Sequence, residues 1–395
     1  MRTLFEELDP QGRDAAFAAA ERRLRDEGRF DEWFDLRMLK AKLDHGLPGD
    51  HPATLSDVPQ ELRGEIETVY REAAREAGTA LLESGDIAAA WSYFSAIREP
   101  GPVRAALEEI PLEGEFDERR QELAEIALFQ AANPKRGVQM WLAGPGICNT
   151  VTALDQLFPQ LSSEDRAECA EVVVGELHRQ LLASVQREAA ERSPMTRPPA
   201  TLPGVLDAYP TLLENAAYHT DVSHLAAAVR FSRALPADAD AIGLALELCD
   251  YGRRLDRSLQ YGSEPPFEDL YEATCHYLQA VRGAAGEERA KGLDYFRGRL
   301  AADPDESDQP LLAYVLTDLL MRVGEADEAI DVAEKHLATA GPQTGFSFAE
   351  LCRRSGRLDR LAAFGRENGD LLSYLNGRFG ESNGDATSRS EGGQS

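Results

Sequence analysis

The sequence predicts an all-α protein built from antiparallel helical hairpins. Three observations carry this. Alanine, leucine, glutamate and arginine dominate, and no stretch alternates apolar and polar residues as a half-buried strand does. Five glycine-centred polar turns separate helical patterns. Proline clusters occur only in a few short segments, so long stretches are free to stay helical.

The first turn is Glu27-Gly28-Arg29-Phe30-Asp31. Glycine after a helix takes the left-handed conformation cheaply, and a short polar turn then lets the next helix fold back. The same punctuation stands at Ser84-Gly85-Asp86, Tyr251-Gly252-Arg253-Arg254, Val323-Gly324-Glu325 and Ser355-Gly356-Arg357. Asp44 to Pro59 is a breaker cluster with Gly46, Pro48, Gly49, Pro52 and Pro59. The acids of Glu108 to Glu125 read as a water-facing surface.

Leu142 to Thr150, with Gly144-Pro145-Gly146, is a glycine-rich turn before a helix. Asn149 or Thr150 is its candidate N-cap. It follows no strand and has no P-loop lysine, so it is not a phosphate cradle. Ser162 or Ser163 opens a helix that carries Val172-Val173-Val174, with Asp165 three residues after Ser162 as in a capping box. Ser193 to Pro210, with Pro194, Pro198, Pro199, Pro203 and Pro210, precludes a continuous helix. The expected organisation is therefore a helical-hairpin region at 1–192, a proline-rich linker at 193–210, a helical-repeat region at 211–381 and a small, polar, disordered tail at 382–395.

Around Gly85 the residues Gly78, Leu81, Gly85, Ala90, Phe94 and Pro102 have the spacing of a tetratricopeptide repeat, and the segment resembles that family. They stand at its small, large, turn, small, aromatic and closing proline positions. The first position, usually aromatic, is Ala74. At Gly324, Leu320 and Ala329 match, while Ala333 replaces the aromatic and His336 a small residue. At Gly356, Leu361 stands where alanine is expected. The spacing of the units follows no regular 34-residue period. The resemblance implies an irregular, stacked solenoid-like array. It also implies that Ala90 lets two helices approach and that Phe94 fills the groove to the next pair.

Polar chemistry concentrates between Tyr209 and His276. A helix expected after Pro265-Pro266 would place Glu268, Glu272 and His276 on one face, four residues apart. His219 and His224 converge only if a helix starts at Thr220 or Asp221. His219, His224, Glu272 and His276 are thus candidate ligands for a divalent metal, in a metal-binding domain or metal-dependent enzyme. Cys275, beside His276, reads as a buried thiol, not a nucleophile. Asp303, Asp305, Glu306 and Asp308 form an acidic loop without the glycine and distant glutamate of an EF-hand. Trp33, Trp91 and Trp141 lie in helical patterns and read as core.

The net charge is −27, from 69 acidic and 42 basic residues. This excess opposes phosphate-backbone binding and docking on anionic membranes, and no apolar run is long enough to span a bilayer. It favours protein or peptide partners, basic ones included. Five scattered cysteines make neither a disulfide framework nor a zinc knuckle, and the start lacks the apolar stretch of a signal peptide. The expectation is reduced thiols in the cytoplasm. No nucleophile-elbow, kinase or His-Glu-x-x-His motif occurs. The leading functional reading is a protein-interaction or scaffold role through a helical-repeat surface, with the metal site as its alternative.

Overall fold

A computed structural model describes residues 12–283, 286–302, 307–338 and 346–381. Among these residues the protein is all-helical, without strands, and helices adjacent in sequence pack as neighbouring pairs. The acidic start Met1–Glu7, the loop acids Asp303, Asp305 and Glu306, and the tail 382–395 lie outside the described residues. No described helix is long and apolar enough to cross a membrane. The chain divides into two compact units, Met1–Leu161 and Ser162–Ser395.

In the first unit, α1 (Arg13–Asp26) and α2 (Phe30–Asp44) are joined through Gly28, which has a φ of +69°. The breaker cluster after α2 is held by one buried cation. Lys42 is fully buried, and its Nζ donates to the His51 carbonyl at 2.7 Å and to both Asp57 oxygens at 2.9 and 3.0 Å. Helix α3 (Gln60–Glu83) then pairs with α4 (Ile87–Ala96) across Gly85, at a φ of +84°. The Asp86 carboxylate caps α4 by accepting from the Ala89 N–H.

The tetratricopeptide-like positions of this pair are buried: Gly78, Ala90 and Phe94 in full, and Leu81 almost so. The Phe94 ring lies directly over Gly78, where an added Cβ would sit 2.7 Å from the ring. Phe94 therefore locks its own pair from inside, and it also joins the cluster formed by Val103, Leu107, Leu123 and Ile126. Truncating such a ring to alanine costs about 3–5 kcal/mol.

Pro102 sits in the first turn of α5 (Gly101–Glu108), and α6 (Glu118–Leu128) and α7 (Pro134–Ala143) complete the next pair. The acids between Glu108 and Glu122 are exposed, as a solvated surface should be. Helix α8 (Ile147–Leu157) starts earlier than expected. Gly146, not Asn149 or Thr150, occupies its N-cap. The two expected caps lie inside the first turn and donate backwards, Asn149 Nδ2 to the Pro145 carbonyl at 2.9 Å and Thr150 Oγ1 to the Gly146 carbonyl at 2.9 Å.

The second unit opens with α9 (Ser163–Arg192), which takes Val172-Val173-Val174 into a single long helix. Ser162 caps it, accepting from the Asp165 N–H at 3.0 Å and donating to the Asp165 carboxylate at 2.7 Å. The proline-rich segment 193–210 lies within this unit. It carries α10 (Leu202–Ala208), whose first turn tolerates Pro203, and it buries Leu202, Val205 and Leu206. Next come α11 (Val222–Ser232), α12 (Ala241–Arg254), α13 (Leu270–Arg282) and α14 (Glu287–Ala302).

Gly252 makes no turn. It lies inside α12, away from the left-handed region, and the chain leaves the helix only after Arg254. Its role is close approach: an added Cβ would sit 2.3 Å from the Tyr271 ring, which is fully buried against it. The glycine expected here as a helix breaker is needed instead for its missing side chain.

The last hairpins match the expected turns. Helices α15 (Gln309–Arg322) and α16 (Ala326–His336) meet at Gly324, and α17 (Phe348–Arg354) and α18 (Leu358–Asn368) at Gly356, with φ of +84° and +71°. Helix α19 (Leu371–Phe379) follows Gly369 and folds back on α18.

Candidate functional site

The expected ligand residues lie on three elements: His219 before α11, His224 in α11, and Glu272 and His276 in α13. Asp221 is the N-cap of α11, as one of two readings required, and its carboxylate accepts from the Ser223 and His224 N–H groups. His219 thus precedes the helix, and half-buried His224 occupies its first turn.

The His219 ring is almost wholly buried. Tyr251 Oη accepts from the His219 backbone N–H at 2.8 Å and lies 3.2 Å from His219 Nδ1. His219 Nε2 meets Glu188 Oε2 at 2.8 Å. Burial raises Glu188, but hydrogen bonding from Arg192 (2.5 Å) together with the His219 contact outweighs it and holds the carboxyl below its ordinary range. Burial pushes the Tyr251 hydroxyl up to about 12. The result is a Glu188–His219–Tyr251 chain linking α9, the 219 loop and α12.

A second pair bridges the same helices in the opposite sense. His178 of α9 meets Glu247 of α12 at 2.8 Å, and that carboxylate also accepts from the Leu202 N–H at 3.4 Å. On α13, His276 Nε2 contacts Glu272 Oε1 at 3.2 Å and stacks on Tyr295 with centroids 4.5 Å apart. The other Glu272 oxygen pairs with Arg253 at 2.6 Å. Glu268 is not on this face. The helix begins only at Leu270, beyond the cis Pro265–Pro266 bond, and Glu268 pairs instead with Arg299.

His219, Glu272 and His276 are therefore occupied by protein partners. Among the described residues, no three His, Cys, Asp or Glu side chains converge as a metal-binding group. Sequence reasoning missed Glu188, Glu247, Tyr251 and His178. Their only local signal is a polar residue on an otherwise apolar helix face, which does not reveal the partner.

Cys275 is buried, and desolvation raises its thiol above the ordinary range, which disfavours nucleophilic chemistry. Cys148 is exposed, the other four cysteines are buried, and none of the five forms a disulfide. Trp33 is core, 1% exposed, with the Arg25 guanidinium 4.5 Å above its ring. Trp91 and Trp141 are only half-buried.

Concavity lies elsewhere in the second unit. An open cavity of about 350 Å³ separates α15 from α17, the first helices of two consecutive glycine-turned hairpins. Tyr314, Thr317, Asp318, Met321 and Arg322 present one face of α15 to it, and Glu350, Leu351 and Arg354 line it from α17. This spacing of three and four residues puts an aromatic, an acid and a base on one helical stripe.

Arg322 is rigid: its guanidinium donates to the Arg233 and Leu235 carbonyls and, at 2.8 Å, to Tyr277 Oη. Tyr277 in turn donates to Asp318 at 3.2 Å. Tyr314 is 47% exposed and meets Phe346 edge-on at 6.4 Å. The Thr317 hydroxyl is buried without a hydrogen-bond partner. The lining holds no histidine or cysteine; it offers the carboxylates of Asp318 and Glu350, the guanidinium groups of Arg322 and Arg354, and aromatic surface.

A second cavity, in the first unit, is lined by Arg25, Trp33, Arg75 and Glu76 among others. Its rim charges are already paired, Arg25 with Glu76 and Arg75 with Glu99 at 2.7 Å. No family model matches the chain, and no curated protein or solved structure is detectably similar to it.

Proposed function

We propose that this chain is an interaction protein whose helical hairpins, stacked as an irregular tetratricopeptide-like array, hold a peptide or partner helix. The observation that carries this reading is the cavity between α15 and α17. Grooves between the first helices of successive hairpins are where a helical-repeat surface offers concavity. A half-exposed tyrosine beside fixed charges is the kind of anchor that dominates peptide affinity. The net charge of −27 favours a partner of opposite sign.

The test is selection of peptides from a displayed library on the intact chain, followed by binding measurements on Tyr314→Ala and Glu350→Lys variants. Truncating a central aromatic anchor should weaken binding about tenfold or more, and the charge reversal should shift the preference away from basic peptides. Melting temperatures should not change. Recovery of no binder, or of binders indifferent to both substitutions, refutes the assignment.

A further inference from the structure

Among the described residues, helix α19 leaves one apolar face uncovered. Leu371, Leu372, Leu375 and Phe379 are 65%, 80%, 40% and 70% exposed. Their spacing places them along one side of the helix. The opposite side is committed to α18. Gly377 lies against Ala362 and Gly365 against Tyr374, so closely that a Cβ on either glycine would sit 2.3 Å from a backbone nitrogen of the other helix. This tight hairpin cannot rotate to hide the leucines without losing its glycine contacts.

We infer that the uncovered face of α19 is the seat of a second copy of this chain, packed antiparallel across a two-fold axis at Leu375. The sequence of the helix is self-complementary in that register. Leu375 faces its own copy, Leu371 faces Phe379, and Leu372 lies along the aliphatic stem of Arg378. A two-fold interface requires such a pattern, because each residue must suit its symmetry mate.

Charge selects the same place. Leu358–Phe379 carries three acids, Asp359, Glu367 and Asp370, against three bases, Arg360, Arg366 and Arg378, and so is neutral within a chain of net charge −27. Two strongly acidic molecules repel least where their surfaces are locally neutral. The last residues, 382–395, include no large apolar side chain to cover the stripe.

The area sets the strength. With about 150–250 Å² for a large side chain, the four exposures leave roughly 450 Å² per copy. A pair then removes about 900 Å² from water, just under the size of a stable specific interface. The dimer is therefore a weak one, and it strengthens with salt as screening reduces the repulsion.

Sedimentation equilibrium of the full chain tests this between about 1 and 500 µM, the range in which an interface of this size associates. The mass should rise from one chain towards two, at lower concentration in 0.5 M than in 0.05 M salt. The double substitution Leu372→Glu and Phe379→Glu, at two exposed positions, should hold the chain monomeric with an unchanged melt. In a Cys148→Ser background, Leu375→Cys should oxidise to a disulfide-linked dimer, while cysteine at exposed Arg366 should not. A wild-type chain that stays monomeric over the whole range overturns the inference. So does a dimer untouched by the double substitution, or one lost when residues 1–11, which hold Leu4, Phe5 and Leu8, are deleted.

Discussion

Replacing Gly252 by alanine should destabilise the second unit, although alanine is the better helix former. The substitution puts a Cβ 2.3, 2.5 and 2.6 Å from three Tyr271 ring carbons, closer than real side chains approach. Tyr271 is fully buried, so relief needs movement of α12 against α13. Overpacking of this kind costs about 1–3 kcal/mol. The gain in helix propensity offsets about 1 kcal/mol. The net loss is up to about 2 kcal/mol, a fall in melting temperature of up to about 8 °C for a unit of this size.

The same helix supplies the control. Gly243 has nothing within 4 Å of an added Cβ, so Gly243→Ala should gain about 0.5–1 kcal/mol from propensity alone. Urea or thermal unfolding followed by circular dichroism separates the two variants. If Gly252→Ala melts at or above wild type, or moves in parallel with Gly243→Ala, the close-approach account of Gly252 is wrong.

Asp57→Ala should destabilise the first unit, because it strips buried Lys42 of its carboxylate. Lys42→Met should cost less; equal losses in urea melts would argue against an uncompensated charge. Because the folded state holds Glu188 below its ordinary range, its contribution is present at neutral pH and fades as pH falls through and below the carboxylate range near 4. Glu188→Gln should therefore be less stable than wild type at pH 7, and the difference should shrink as the pH falls below the ordinary carboxylate range, as a pH series of melts would show. An aromatic disulfide reagent should titrate one thiol, Cys148, quickly in the native protein and all five after denaturation; several fast thiols would contradict the buried placement of the others. Removing divalent metal with a chelator should leave the melting temperature unchanged, and a shift that returns with one bound metal per chain would revive the His219, His224, Glu272 and His276 site.

Local chemistry made much of the fold legible. Gly28, Gly85, Gly324 and Gly356 are turns because a left-handed residue after a helix is a property of four or five neighbouring residues. Ser162 and Asp221 cap helices for the same short-range reason. Asn149 and Thr150 were equally plausible caps, and the helix starts ahead of them because Gly146 supplies the non-helical backbone one turn earlier.

The candidate site was far less legible, since its geometry depends on residues distant in the chain. His219 and Glu188 are 31 positions apart across the proline-rich segment, and His178 and Glu247 are 69 apart. The sequence by itself determined that this protein is helical, where most of its hairpins turn, and that its charge is strongly negative. Only the tertiary structure decided that Gly252 serves Tyr271, that buried His178 and His219 are each matched by a carboxylate from another element, and that among the described residues α19 keeps a bare apolar face. Secondary structure follows from interactions within a turn or two of chain. Close approach, pairing and exposure follow from packing, which brings together residues that the sequence keeps apart.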